Sequence, residues 1–141
     1  MKKSIIIILI ITSFSCSTLN AKDSYYEKGK NFFEKKNFKE SKFYFEKNIV
    51  FNPKDESSYL YLAKIFKVEK IDSLLENNLN TVLLLNPKNK EAIYLLTLLN
   101  IKQSNFSKTK ELIKTMNLIC KKKCTLTEEL QKKLDVSLKS K

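Results

Sequence analysis

The chain has no arginine, no histidine and no tryptophan, and its 141 residues include only one glycine and two prolines. Without histidine the usual general base is missing, together with Ser/His and Cys/His pairings and most zinc sites. Lysine or carboxylate chemistry stays open, but no constellation of residues suggests it. The chain therefore reads as a protein that is not an enzyme and has no catalytic residue, metal or cofactor. Nucleic-acid readers lean on arginine for bidentate base contacts, so without it no nucleic-acid partner is expected. Scarce glycine and proline argue against an all-β fold, which needs many tight turns. An all-α chain is expected.

What is present is lysine. All 27 basic residues are lysine, against 15 acidic ones, for a formal net charge of +12. One reading is a biased coding composition that also makes Asn and Ile plentiful. The other is a basic face selected to meet anionic lipid or an acidic partner. Hydrophobic residues make up 43% of the chain, enough for a packed interior, and the length allows one domain rather than two full cores.

The first residues read as an address. Lys2 and Lys3 precede an unbroken Ile/Leu run from Ile5 to Ile11, and then Thr12, Ser13 and Ser15 take over. That order is the charged, apolar and small-residue sequence of a secretory signal. The run is well short of the roughly 20 apolar residues that cross a bilayer. Ser13-Phe14-Ser15-Cys16 resembles a relaxed bacterial lipobox, in which the cysteine is lipidated and becomes the new N-terminus. On that reading residues 1–15 are removed, Cys16 carries a membrane anchor, and 16–21 is a short tether. The competing cut is after Ala21, leaving a soluble periplasmic or secreted protein. The cysteine count favours the lipid, because assigning Cys16 to it leaves Cys120 and Cys124 as a pair.

Both prolines sit in one tripeptide, Asn52-Pro53-Lys54 and Asn86-Pro87-Lys88, 34 residues apart. Rows of that length run 22–55, 56–89 and 90–123. They place Tyr25 over Tyr59 and Ile93, Gly29 over Ala63 and Thr97, Phe32 over Phe66, and Phe45 over Leu79 and Ile113. Each row holds two stretches of helical periodicity, broken near Asn37, near Glu69 to Asp72, and near Ser104-Asn105. Asn37 followed by Glu40 reads as a capped helix start, and each proline closes the second helix of its row. The small residues at 29, 63 and 97 let the two helices of a row approach closely.

These positions resemble the tetratricopeptide repeat, over residues 22 to about 123. The resemblance implies an all-α, helical-hairpin solenoid of three repeats plus a C-terminal capping helix in 124–141. Row three departs from the pattern at Asn100 and Lys121, and Leu75 stands where the family has alanine, so departures in packing are expected in the second pair. Thr125 with Glu128 reads as a capping box for a last helix from about Leu126 to Leu138, its apolar stripe Leu126, Leu130, Leu134 and Leu138.

By the same resemblance, a concave wall is made by the first helix of each repeat. Tyr26, Lys30 and Phe33 come from row one, Leu60, Lys64 and Lys67 from row two, and Tyr94, Leu98 and Ile101 from row three. Such an aromatic and aliphatic floor with a lysine strip suits an amphipathic or acidic segment of a partner protein. Alternatively, several of these residues pack against the chain's own N-terminal or C-terminal segment. The form of the family that grips a chain terminus with Lys and Asn is not matched, since Tyr26, Lys30, Tyr61, Glu91 and Leu95 occupy its sites. The expectation is a lipid-anchored scaffold of the cell envelope, similar in build to accessory subunits of outer-membrane or pilus assembly. The alternative is a basic surface protein that binds anionic lipid or cell-wall polymer through its lysines.

Cys120 and Cys124 fall where the third row turns. Residues four apart in a regular helix have Cβ atoms about 5–6 Å apart, too far for a disulfide, whereas a turn there brings the sulfurs together. A structural disulfide fixing the approach of the last helix is expected, with two free thiols in a loop as the alternative.

Overall fold

Three short turns set the pattern of the chain. Lys36, Lys70 and Ser104 take left-handed backbone angles (φ 57°, 60° and 59°), and they stand 34 residues apart. None is glycine, although the left-handed region costs other residues roughly 1–2 kcal/mol. Each turn separates two helices in the computed structural model, which describes residues 21–120 and 124–139, with side chains from residue 25 onward. Cys16 and the signal segment around it, and residues 121–123, lie outside the described residues. Every regular element among the described residues is an α-helix.

Contacts divide the chain into two compact units, Met1–Asn52 and Pro53–Lys141. The first contains α1 (Ala21–Glu34) and α2 (Phe38–Phe51), packed as a hairpin. The second contains α3 (Glu56–Glu69), α4 (Asp72–Leu85), α5 (Lys90–Lys102), α6 (Phe106–Ile119) and α7 (Thr125–Lys139). Here α3 packs on α4, α4 on α5 and α5 on α6, while α7 lies on both α5 and α6.

Asparagine starts three of these helices. The Asn37, Asn89 and Asn105 side-chain oxygens accept the amides of Glu40 (3.4 Å), Ala92 (2.9 Å) and Lys108 (3.4 Å), meeting donors that have no partner inside the helix. The ends repeat as well. The amides of Asn52, Asn86 and Cys120 donate to the carbonyls of Asn48, Val82 and Met116, at 2.7, 2.7 and 2.9 Å. Pro53 and Pro87 follow the first two and prevent the helix from continuing.

Within each hairpin the small residues do what their size permits. Gly29 is buried, and a Cβ there would stand 3.0 Å from the ring of Phe45. Its carbonyl accepts the Ser41 hydroxyl at 2.8 Å, across the hairpin. Ala63 and Thr97 are fully buried. Leu75, large for its place, is also buried, at 5% exposure.

Two expectations about α7 need correction. Thr125 is the first helical residue rather than the cap, and the Glu128 amide donates to the Cys124 carbonyl at 3.2 Å. The helix therefore begins one residue earlier than a Thr125–Glu128 capping box requires. The leucine stripe is also shorter than its spacing suggests. Leu130 and Leu134 are buried, but Leu138 is 44% exposed. With 3.6 residues per turn, each step of four overshoots by about 40°, so twelve residues rotate the last leucine about 120° off the first.

Candidate partner-binding cleft

The nine residues of the expected wall fall into both units. In the first, Tyr26 meets the ring of Phe45 edge-on (5.8 Å between centroids) and Phe33 meets Phe38 in the same way (5.6 Å). Both are half-buried within their own hairpin, as is Lys30.

In the second unit the six residues divide. Tyr94, Leu98 and Ile101 pack, with Phe106, against a buried cluster of Ile113, Leu130 and Leu134. The Tyr94 hydroxyl donates to the Glu129 carboxylate on α7 at 2.7 Å. That hydrogen bond, then burial, then the carboxylate's charge raise the phenol's pKa above its ordinary 10.0. The third row's share of the wall is thus largely covered by the chain's own last helix. Lys64 is engaged too: its ammonium lies 2.9 Å from Glu91 and 4.9 Å from the Tyr61 ring centroid. Leu60 is half-buried.

Lys67 and Leu98 are brought together. They line a cleft of about 140 Å³ built by α3, α4 and α5 with Lys70, Asp72, Leu75, Leu95, Leu99 and Lys102. Leucines form its floor and lysines its rim. Lys102 is paired with Asp72 at 2.6 Å, while Lys67 and Lys70 make no ion pair among the described residues. Because Lys70 is the left-handed residue ending α3, its position follows from the turn itself. Sequence reasoning assigned only Lys67 and Leu98 here. Leu95, Leu98, Leu99 and Lys102 stand at i, i+3, i+4 and i+7 on α5, a stripe that was available as a signal.

At the other end of the unit, Cys120 closes α6 and Cys124 stands just ahead of α7. Their Cα atoms are 5.7 Å apart, inside the roughly 4.4–6.8 Å that a disulfide spans. Among the described residues no cluster of three or more His, Cys, Asp or Glu is placed to hold a metal ion, and no helix is long and apolar enough to cross a membrane.

No protein-family model and no curated protein sequence matches this chain. Solved structures do. It is similar to the first TPR of Spaghetti (RPAP3), solved with an HSP90 peptide, with TM-score 0.70 and 16% identity over 82% of this chain and 94% of that one. It is similar to the Arabidopsis OM64 TPR domain, with TM-score 0.72 and 15% identity over 82% and 94% of the two chains. The TPR2B domain of yeast Sti1, in a pHsp70 complex, gives TM-score 0.71 and 12% identity over 85% and 98%. The chain has the tetratricopeptide-repeat fold. In that fold the three hairpins are the repeats, and α7 stands in the place of the capping helix.

Proposed function

We propose that this chain is a tetratricopeptide adaptor of the bacterial cell envelope that holds an acidic, amphipathic segment of a partner protein. The observation that carries the reading is the α3–α5 cleft, whose leucine floor matches an apolar face and whose Lys67 and Lys70 match carboxylates beside it. Structural neighbours solved with an HSP90 peptide and with pHsp70 support a peptide-holding use of the fold. The Lys- and Asn-based terminus grip has no match in Tyr26, Lys30, Tyr61, Glu91 and Leu95, so the segment is held along its length rather than by its end.

In this reading the protein is exported by its N-terminal segment and anchored by lipid on Cys16, and it acts by binding rather than by turnover. Cys120 and Cys124 form a disulfide that fixes how α7 approaches α6, at the joint where the earlier rows have proline. Counting thiols on the folded, oxidised protein tests that bond, and two reactive thiols would refute it.

The binding claim is tested by cross-linked capture from native envelopes with wild type and with Lys67→Glu/Lys70→Glu. Both positions are exposed, so the variant keeps its helical circular dichroism. A protein captured by wild type and lost with the variant supports the cleft. Equal capture by both moves the function elsewhere on the surface.

A further inference from the structure

The first hairpin carries an aromatic surface that the cleft does not use. Tyr25, Lys28 and Phe32 stand at i, i+3 and i+7 on α1, and Tyr44, Lys47 and Phe51 repeat that spacing on α2. Their rings form one array. Phe51 stacks on Tyr25 (5.6 Å), Tyr25 on Tyr44 (6.4 Å) and Tyr44 on Phe32 (5.4 Å). The Lys47 ammonium lies 4.5 Å from the Tyr25 ring centroid and that of Lys28 lies 5.8 Å from Tyr44. Phe51 is 60% exposed and the neighbouring Val50 77%. In the third row the positions matching Tyr25 and Phe32 are Ile93 and Asn100, at 1% and 2% exposure. There α4 packs against α5, whereas no helix precedes α1 among the described residues.

The chemistry of this face selects its occupant. Rings alternate with lysines on both stripes and no carboxylate interrupts either. Glu27 and Glu46 stand one position away from Lys28 and Lys47, about 100° round their helices. Aromatic rings settle at the headgroup level of a bilayer, and lysines are drawn to anionic headgroups. A second copy of the same face would set lysines against lysines. Position agrees with chemistry: α1 begins five residues after Cys16, and five residues span at most about 18 Å. The Tyr25–Phe51 end of the array is the end at which α1 starts.

We propose that this face of the first unit lies on an anionic bilayer surface, its rings among the headgroups and Lys28 and Lys47 on lipid phosphates. The proposal rests on the Cys16 anchor proposed above, which brings the hairpin to the membrane.

The absence of tryptophan makes Phe51→Trp a single optical reporter. The protein is extracted from membranes, and its intact mass is read for lipid on Cys16. It is then placed in vesicles of phosphatidylcholine alone or of equal parts phosphatidylcholine and phosphatidylglycerol. In the anionic vesicles Phe51→Trp emission shifts to the blue and is quenched by lipids brominated high on the acyl chain. Glu34→Trp, nine residues on from Tyr25 and so half a turn round α1, keeps solvent-like emission. Adding Lys28→Glu and Lys47→Glu abolishes the Phe51→Trp shift while the anchored protein still floats with the vesicles. Solvent-like Phe51→Trp emission in a lipidated, floating protein overturns the proposal and leaves the anchor standing. A mass without lipid removes the anchor alone; the response to added anionic vesicles then decides the face, a shift supporting it and no shift overturning it. A blue shift of equal size without vesicles overturns it in favour of self-association.

Discussion

Matching positions in the first and third repeats end in different environments. Tyr25, Phe32 and Tyr26 stand where Ile93, Asn100 and Tyr94 stand 68 residues later. In the first repeat they are half-exposed. In the third, Ile93 and Asn100 are sealed and Tyr94 is hydrogen-bonded to α7. Tyr26 and Tyr94 are both half-buried, and the contrast lies in Tyr25 and Phe32 against Ile93 and Asn100. What separates them is the neighbour: α4 and α7 flank α5, while the described chain offers nothing ahead of α1. In a repeat fold a side chain is core or surface according to what is stacked beside it.

The largest effects should come from the two interiors that this comparison leaves alike. Phe45→Ala in the first hairpin should cost about 3–5 kcal/mol and Leu130→Ala in α7 about 2–5 kcal/mol, both read by urea unfolding. Both residues are fully buried. A small loss at Leu130 would mean that α7 is not held against α5 and α6, and the contrast between the repeats would collapse. Next come the turns, where the repeats are equal. Lys36→Gly, Lys70→Gly and Ser104→Gly should each stabilise by roughly 1 kcal/mol, because glycine removes the left-handed penalty.

A smaller effect is expected at Tyr94. The folded-state pKa of Tyr94 is raised above 10.0. Its bond to Glu129 is therefore at full strength below that ordinary value and is lost as pH rises through the raised one. Alkaline unfolding of wild type and Tyr94→Phe should differ below pH 10 and converge as pH rises through the raised value. The smallest effect is expected at Phe51→Ala. Its ring is 60% exposed, so stability should change by no more than about 0.5–1 kcal/mol. A loss near that of Phe45→Ala would show that the aromatic face is core after all.

Much of the fold was legible in the residues themselves. Two Asn-Pro-Lys tripeptides gave the period, Asn37 gave a cap, and Gly29, Ala63 and Thr97 gave the close approach of paired helices. The three turns were legible near Asn37, Glu69 to Asp72 and Ser104-Asn105, but their left-handed angles were not, because Lys36, Lys70 and Ser104 fill places where glycine would have announced them. Leu138 was misplaced by treating a spacing of four as one turn. What the residues of the expected wall meet was not legible. Nothing local to Lys64 shows that Glu91, from the next repeat, takes its charge. Nothing local to Tyr94 shows that α7, 35 residues later, accepts its hydroxyl. The cleft depends on Lys67, Leu75 and Lys102 meeting across three helices, and such meetings are decided by packing rather than by periodicity.

The most direct test of the adaptor reading is site-specific photo-cross-linking in intact cells, with a benzophenone side chain at Lys67 in one strain and at Lys110 in another. Both positions are exposed lysines of the second unit, and only Lys67 lines the cleft. A discrete protein adduct at Lys67 that is absent at Lys110 is the predicted result. Adducts of equal yield at both positions, or none at Lys67, would contradict the account.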